Sequence, residues 1–281
     1  MTTTPLAGTE LLRLWSVTTL IKMALGTSYP LVNWNCEQVG VAAIIYREAI
    51  DAMLKTDSQD EVAKWIAKKR WDVTERAQIR GSDVHRAAEQ IALGIEPTIV
   101  PGTEPYVEQL VRWLSKWKPE FLLAEAPVYN VEHAYAGTLD GIMRIDGRNF
   151  VIDYKTTNKG PEAKSRPPYP EVALQLVAYA NAESVGVLSE QRYDSFRQRY
   201  YLYDETVEHE KLPQIDGALC IVISPVDCYA VLTSIGPKVW RAWLHVLALA
   251  QWQDDGSKQV FGATLDALEP ALRATLEGRS S

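Results

Sequence analysis

The stretch Gly137-Thr-Leu-Asp140-Gly-Ile-Met-Arg-Ile-Asp146-Gly147-Arg148-Asn-Phe150-Val-Ile-Asp153-Tyr-Lys155 decides how the chain folds. Apolar runs flank Asp146-Gly147-Arg148, and Asp-Gly between such runs is a hairpin signal. In the second run Phe150, Ile152 and Tyr154 alternate with Val151, Asp153 and Lys155. Strand side chains alternate with period 2, so one face of this strand presents an acid and a lysine side by side. Asp140, on the first strand, can approach the same face. Carboxylates and an ammonium gathered at strand ends suit metal-assisted cleavage of a phosphodiester. Mg²⁺ takes an oxygen shell from one or two carboxylates, waters and the substrate phosphate. Asp140 and Asp153 fit as those carboxylates, the backbone carbonyl of Tyr154 as a further ligand, and Lys155 as the group that orients the attacking water or takes its proton. The pattern is short, and a solvated strand face is the competing reading.

Outward from the hairpin, Phe121 to Asn130 reads as a strand, which makes a three-strand meander with Tyr135 to Ile145 and Asn149 to Tyr154. A loop from Thr157 to Pro170 leads to a helix from Glu171 to Ala182. Gly217 to Ser224 and Cys228 to Thr233 read as strands, and Val239 to Trp252 as an amphipathic helix. Arg192 to Asp204 matches neither period. Upstream, helical spacing covers Leu11 to Ala24, Asn35 to Lys55 and Asp60 to Ile79. Gly81-Ser82-Asp83 then predicts a new helix, capped by Ser82 or Asp83 and ended by Gly94. Another runs from Pro105 to Trp117. The order predicts one α/β unit. Residues 1–80 form a helical N-terminal elaboration, 81–255 the core, and 256–281 a tail or short helix.

Composition narrows the class. The chain has 281 residues, 47% hydrophobic and 23% charged, which is that of a globular protein with a substantial core. No apolar run is long enough for a membrane helix, and the N-terminus has no signal-peptide pattern. The three cysteines, Cys36, Cys220 and Cys228, are too few and too scattered for a disulfide framework or a zinc or iron–sulfur site, and the expected compartment is the cytoplasm. A net charge of −7 argues against a protein that coats nucleic acid but not against an enzyme that grips it locally. Basic residues cluster at Lys68-Lys69-Arg70, at Lys155, Lys159, Lys164 and Arg166, and at Arg192, Arg197 and Arg199. Trp113 with Trp117, and Trp240 with Trp243, share helix faces; core packing outweighs base stacking as their reading.

Five ordered segments carry a family likeness: Gly81-Ser82-Asp83-Val84-His85, Glu125-Ala-Pro-Val-Tyr129, Gly137-Thr-Leu-Asp140, Val151-Ile-Asp153-Tyr154-Lys155-Thr156 and Gln175-Leu-Val-Ala-Tyr179. In order and separation they resemble the RecB-like branch of the PD-(D/E)XK nucleases, closest to CRISPR-associated exonucleases and their bacteriophage relatives. Ser16-Val-Thr-Thr-Leu20 and Leu31-Val-Asn-Trp34 are similar to the N-terminal part of the phage members. The resemblance implies a restriction-endonuclease-like core, a mixed central sheet flanked by helices. It makes Asp140 and Asp153 metal ligands, with Asp153 in a slot more often filled by Glu, and Lys155 the catalytic lysine. His85 becomes a further ligand for Mg²⁺ or Mn²⁺. Gln175 and Tyr179, one turn apart on a helix, support the site and hold the DNA backbone, with Ser82 beside them. Glu125 either orients water or Lys155 or is structural. Relatives that bind an iron–sulfur cluster use four cysteines, so none is expected here.

The implied activity is that of a metal-dependent DNA exonuclease working at DNA ends, in phage or bacterial recombination, replication or repair. The alternatives are a structure-specific endonuclease on the same scaffold and a catalytically silent DNA-binding module that assists a recombinase. The implied partners are DNA ends, with a recombinase or a single-strand-binding protein. A homo-oligomer, such as a ring, would suit a processive exonuclease.

Overall fold

The computed structural model describes residues 12–26, 29–158, 168–186, 189–193, 198–203 and 209–256. Lys159, Lys164, Arg166, Arg197 and the tail from residue 257 lie outside these, as do the side chains of Arg70, Arg192 and Arg199. The architecture is mixed α/β. A central mixed sheet is flanked by helices on both faces.

The predicted meander is present as β2 (Glu120–Asn130), β3 (Tyr135–Ile145) and β4 (Arg148–Thr156). Its turn holds Asp146 and Gly147 at φ 48° and 77°, the left-handed conformation that such a pair tolerates. β4 lies parallel to β9 (Gly217–Ile223), which pairs antiparallel with β10 (Cys228–Thr233). Every residue of β9 is buried, as expected of a strand covered on both faces, and this explains its unbroken apolar run. On the other side of the sheet stand β1 (Leu12–Ser16), β7 (Gln198–Tyr203) and β6 (Ser189–Tyr193), while β5 (Ser184–Val185) and β8 (Glu210–Lys211) extend from β2.

Two cores result. One holds Leu20, Leu139, Val151, Leu176 and Trp243 beneath α1 (Val17–Leu25), α6 (Pro170–Ala180) and α7 (Pro237–Gln251). The other holds Val84, Leu110, Met143, Ile152 and Ile221 beneath α4 (Gln59–Ala92) and α5 (Glu104–Trp117). α2 (Tyr29–Ile45) packs on α4, and α3 (Arg47–Met53) joins them. Among the described residues no helix is long and apolar enough to cross a membrane.

Two expectations are corrected. Leu11 to Ala24 is not one helix: Leu12–Ser16 is a strand placed between β3 and β7, and only Val17–Leu25 is helical. Pairing with strands far along the chain overrides a local helical period. No new helix starts at Ser82 or Asp83, because α4 runs unbroken through both. Its start is upstream, at a capping box in which the Ser58 amide donates to Glu61 Oε2 at 2.9 Å and the Glu61 amide donates to Ser58 Oγ at 3.3 Å. Residues 80 and 81 thus lie on the same helix. The indeterminate stretch from Arg192 contributes strands, β6 and β7.

Candidate metal centre at a fork in the sheet

The site begins with a division in β3. One edge pairs with β2 along nearly its whole length. The other edge is shared: Gly141–Ile145 pair with β4, and Tyr135–Ala136 pair with β1. The segment Gly137–Asp140 lies where those two partners diverge. Alternation also breaks here, since Leu139 and Ile142, three residues apart, enter the same core. Opposite, Glu125 stands between the pairs Ala124–Gly141 and Ala126–Leu139, with φ at 43°. A left-handed glutamate inside a strand is an unusual conformation and re-aims the side chain.

Asp140 occupies the fork. Its Oδ2 accepts the Tyr154 amide at 2.6 Å and lies 3.6 Å from His85 Nδ1. That second distance is too long for a hydrogen bond. It suits donors that share an ion, which stand about 3 to 4 Å apart at bond lengths near 2.1 Å. His85, Glu125 and Asp140 each offer a ligand atom, all within 4.8 Å of one another. One imidazole and two carboxylates are a donor set that could hold a divalent ion such as Mg²⁺ or Mn²⁺, the imidazole favouring the transition metal. The Glu125 carboxyl is pushed up to about 7, first by burial and then by the charges of Asp140 and Glu89. A cation in this group would remove that penalty, so the residues fit a divalent ion.

Asp153 follows Ile152, the partner of Gly141, and so lies next to Asp140 across the strands. It is 1% exposed, and Lys155 Nζ donates to its Oδ1 at 2.6 Å while standing equally close to Oδ2. Burial raises the Asp153 carboxyl above its usual range; Lys155 opposes this and Asp140 adds to it. Burial alone would lower Lys155, but the charge and hydrogen bond of Asp153 hold it above its ordinary value.

α6 closes the other side of the fork. Gln175 Nε2 donates to Tyr179 Oη at 3.5 Å, and Tyr179 is buried with its hydroxyl raised by burial and by the nearby charges of Asp140 and Asp153. The ring lies across Gly137, where an added Cβ would stand 2.7 Å from Tyr179 Cε1. The glycine of the Gly-x-x-Asp segment is thus needed for close approach.

The expected residues divide into groups. His85 and Asp140 come together with Glu125, whose role was open. Asp153 is engaged by Lys155 and stands outside that set of side-chain ligands. The Tyr154 amide donates to Asp140 Oδ2. Ser82 is exposed in the middle of α4. Sequence reasoning passed over Glu89, although its spacing of four from His85 places both on one helix face. Arg80, at the same end of α4 as Gly81, gave no sequence signal.

No family model matches the chain, and no curated protein matches it. Among solved structures, the chain is similar to the crystal structure of a protein named SSO0001. The two are 14% identical with a TM-score of 0.30, and the match covers 85% of this chain and 73% of that one.

Proposed function

We propose that this chain is a metal-dependent deoxyribonuclease of the PD-(D/E)XK kind, with a restriction-endonuclease-like core, which hydrolyses phosphodiesters at DNA ends. One observation carries the reading: three side chains able to ligate a metal, His85, Glu125 and Asp140, adjoin the ion pair of buried Asp153 with half-exposed Lys155 at the fork of a mixed sheet. A divalent ion bound there would neutralise charge on the phosphoryl oxygens and activate water. The protein's own groups supply the rest. Asp140 links the two parts of the site, because its carboxylate is tied to the β4 backbone at Tyr154 while facing His85. Lys155 keeps its proton through Asp153 and presents a cation to a phosphate oxygen or to the attacking water. Tyr179 and Gln175 shield the fork and fix its width.

The test is a timed digestion of end-labelled linear DNA and covalently closed circular DNA with Mg²⁺, Mn²⁺ or EDTA. Linear DNA should be degraded only with metal, and the circle should survive. Asp140→Ala and Lys155→Ala should each slow digestion at least about 100-fold while leaving the circular dichroism spectrum unchanged. Parental rates in either variant sink the assignment. Cleavage of the circle would replace the exonuclease with an endonuclease on the same site.

A further inference from the structure

Arg80 belongs to none of the groups above and is chemically anomalous. It continues the stripe Arg80–Val84–Ala88–Ile91, spaced so that all four share the face of α4 that packs towards α5. Val84 and Ala88 are buried there together with Tyr106. The apolar stripe therefore ends in a guanidinium. Its Nε is shielded from solvent and makes no hydrogen bond. Among the described residues no carboxylate pairs with it. The contact it does make is with the Tyr106 ring, whose centroid lies 5.5 Å from Cζ. Desolvating part of a guanidinium without an acceptor is unfavourable, so the arrangement is that of a cation awaiting an anion.

The position says which anion. Gly81 abuts Thr156, with an added Cβ 3.4 Å from Thr156 Oγ1, and the Tyr106 hydroxyl donates to Asn158 Oδ1. Through these neighbours Arg80 lies near the end of β4, at Thr156 and Asn158, directly after Lys155. It precedes His85 by five residues, about 7.5 Å along the helix axis. That offset is about two steps of a duplex strand at roughly 3.4 Å each. A planar fork of donors braced on an aromatic ring matches phosphate oxygens.

We propose that Arg80 grips a backbone phosphate of the substrate strand, about one or two nucleotides from the bond being cleaved, and so sets the register of the strand over the metal-ligand group. This rests on the nuclease reading above. Tyr106, hydrogen-bonded to Asn158, braces the guanidinium.

The experiment measures binding apart from cleavage. In a Lys155→Ala background with Mg²⁺, the affinity of the full chain for a labelled oligonucleotide is followed against salt, with Arg80 intact, with Arg80→Gln and with Arg80→Lys. Arg80→Gln should bind more weakly and reduce the slope of log K against log salt by about 0.7 for a single strand or about 0.9 for a duplex. Arg80→Lys should keep the slope and recover only part of the affinity. Oligonucleotides with one neutral methylphosphonate linkage, or without the terminal phosphate, locate the contact. One internal substitution should weaken the Arg80 protein but not Arg80→Gln; sensitivity only to the terminal phosphate would overturn the internal assignment. With Lys155 restored, Arg80→Gln should raise KM about tenfold and change kcat less than about twofold. An unchanged slope and KM together with a lowered melting temperature would make Arg80 structural and overturn the proposal. If Arg80→Gln does not fold, Arg80→Lys decides, because a parental KM in that variant is equally fatal. A parental chain that digests DNA with metal, beside an Arg80→Gln variant that equals it, removes this inference alone. A parental chain that neither binds nor cleaves DNA removes both.

Discussion

Glu125 shows most directly how a single side chain is tuned by its surroundings. Burial, Asp140 and Glu89 push its carboxyl up to about 7. The folded state therefore holds the proton more tightly than the unfolded state. Its contribution to stability is full below about pH 4.5 and is lost as pH rises through about 7. In EDTA at pH 8, Glu125→Gln should melt higher than the parental chain, while the two should match near pH 4. The full shift corresponds to roughly 3 kcal/mol, but the group is part-exposed, and about 1 kcal/mol is the expected gain. The same variant should lose most of the rise in melting temperature that Mn²⁺ gives the parental chain. A lower melting point at pH 8 would contradict this account of the charge. Gly137 makes a steric counterpart. Gly137→Ala drives a methyl to 2.7 Å from the Tyr179 ring and should cost about 1–3 kcal/mol in urea unfolding. Adding Tyr179→Leu should recover part of that loss, and no recovery would mean that the glycine serves something other than the ring.

Among the elements, α4 carries the most consequence. It reaches from the Ser58 cap to Ala92, about 50 Å at 1.5 Å per residue, and so delivers His85, Glu89 and Arg80 from one rigid body. Gly81-Ser82-Asp83 looks like a helix start because small and polar residues cap helices well. Here Gly81 lies against Thr156, and Asp83 is buried and paired with Arg86 at 3.1 Å. The distinction is measurable. A proline at a true helix start is tolerated, whereas in a helix interior it removes a hydrogen bond and clashes with the carbonyl four residues earlier. Ser82→Pro should therefore destabilise the chain by about 3 kcal/mol or more in chemical denaturation. A loss under about 1 kcal/mol would mean that α4 is effectively two helices. β1 makes the converse point: five residues that suit a helical period become a strand because β3 and β7 offer both edges of a slot.

Across the whole molecule, local chemistry and long-range assembly divide the outcome between them. The hairpin, its Asp-Gly turn and the split of Phe150, Ile152 and Tyr154 from Val151 follow from period-2 alternation, and they are present as read. The neighbourhood of Asp140 and Asp153 follows from the register of that hairpin, which its tight turn sets. These were legible because every interaction involved spans fewer than about twenty residues. The union of His85, Glu125 and Asp140 was not legible in period or spacing; only the resemblance implied a shared site for His85 and Asp140. It needs α4 to cross the sheet, β2 to turn Glu125 through a left-handed conformation, and β3 to lose its alternation between β1 and β4. The buried, unbonded Nε of Arg80 beside the Tyr106 ring likewise exists only once α5 has packed against α4. Side-chain direction along one strand or turn is a matter of local sterics, whereas the burial that sets charge, ligand grouping and close approach is created by elements distant in the chain.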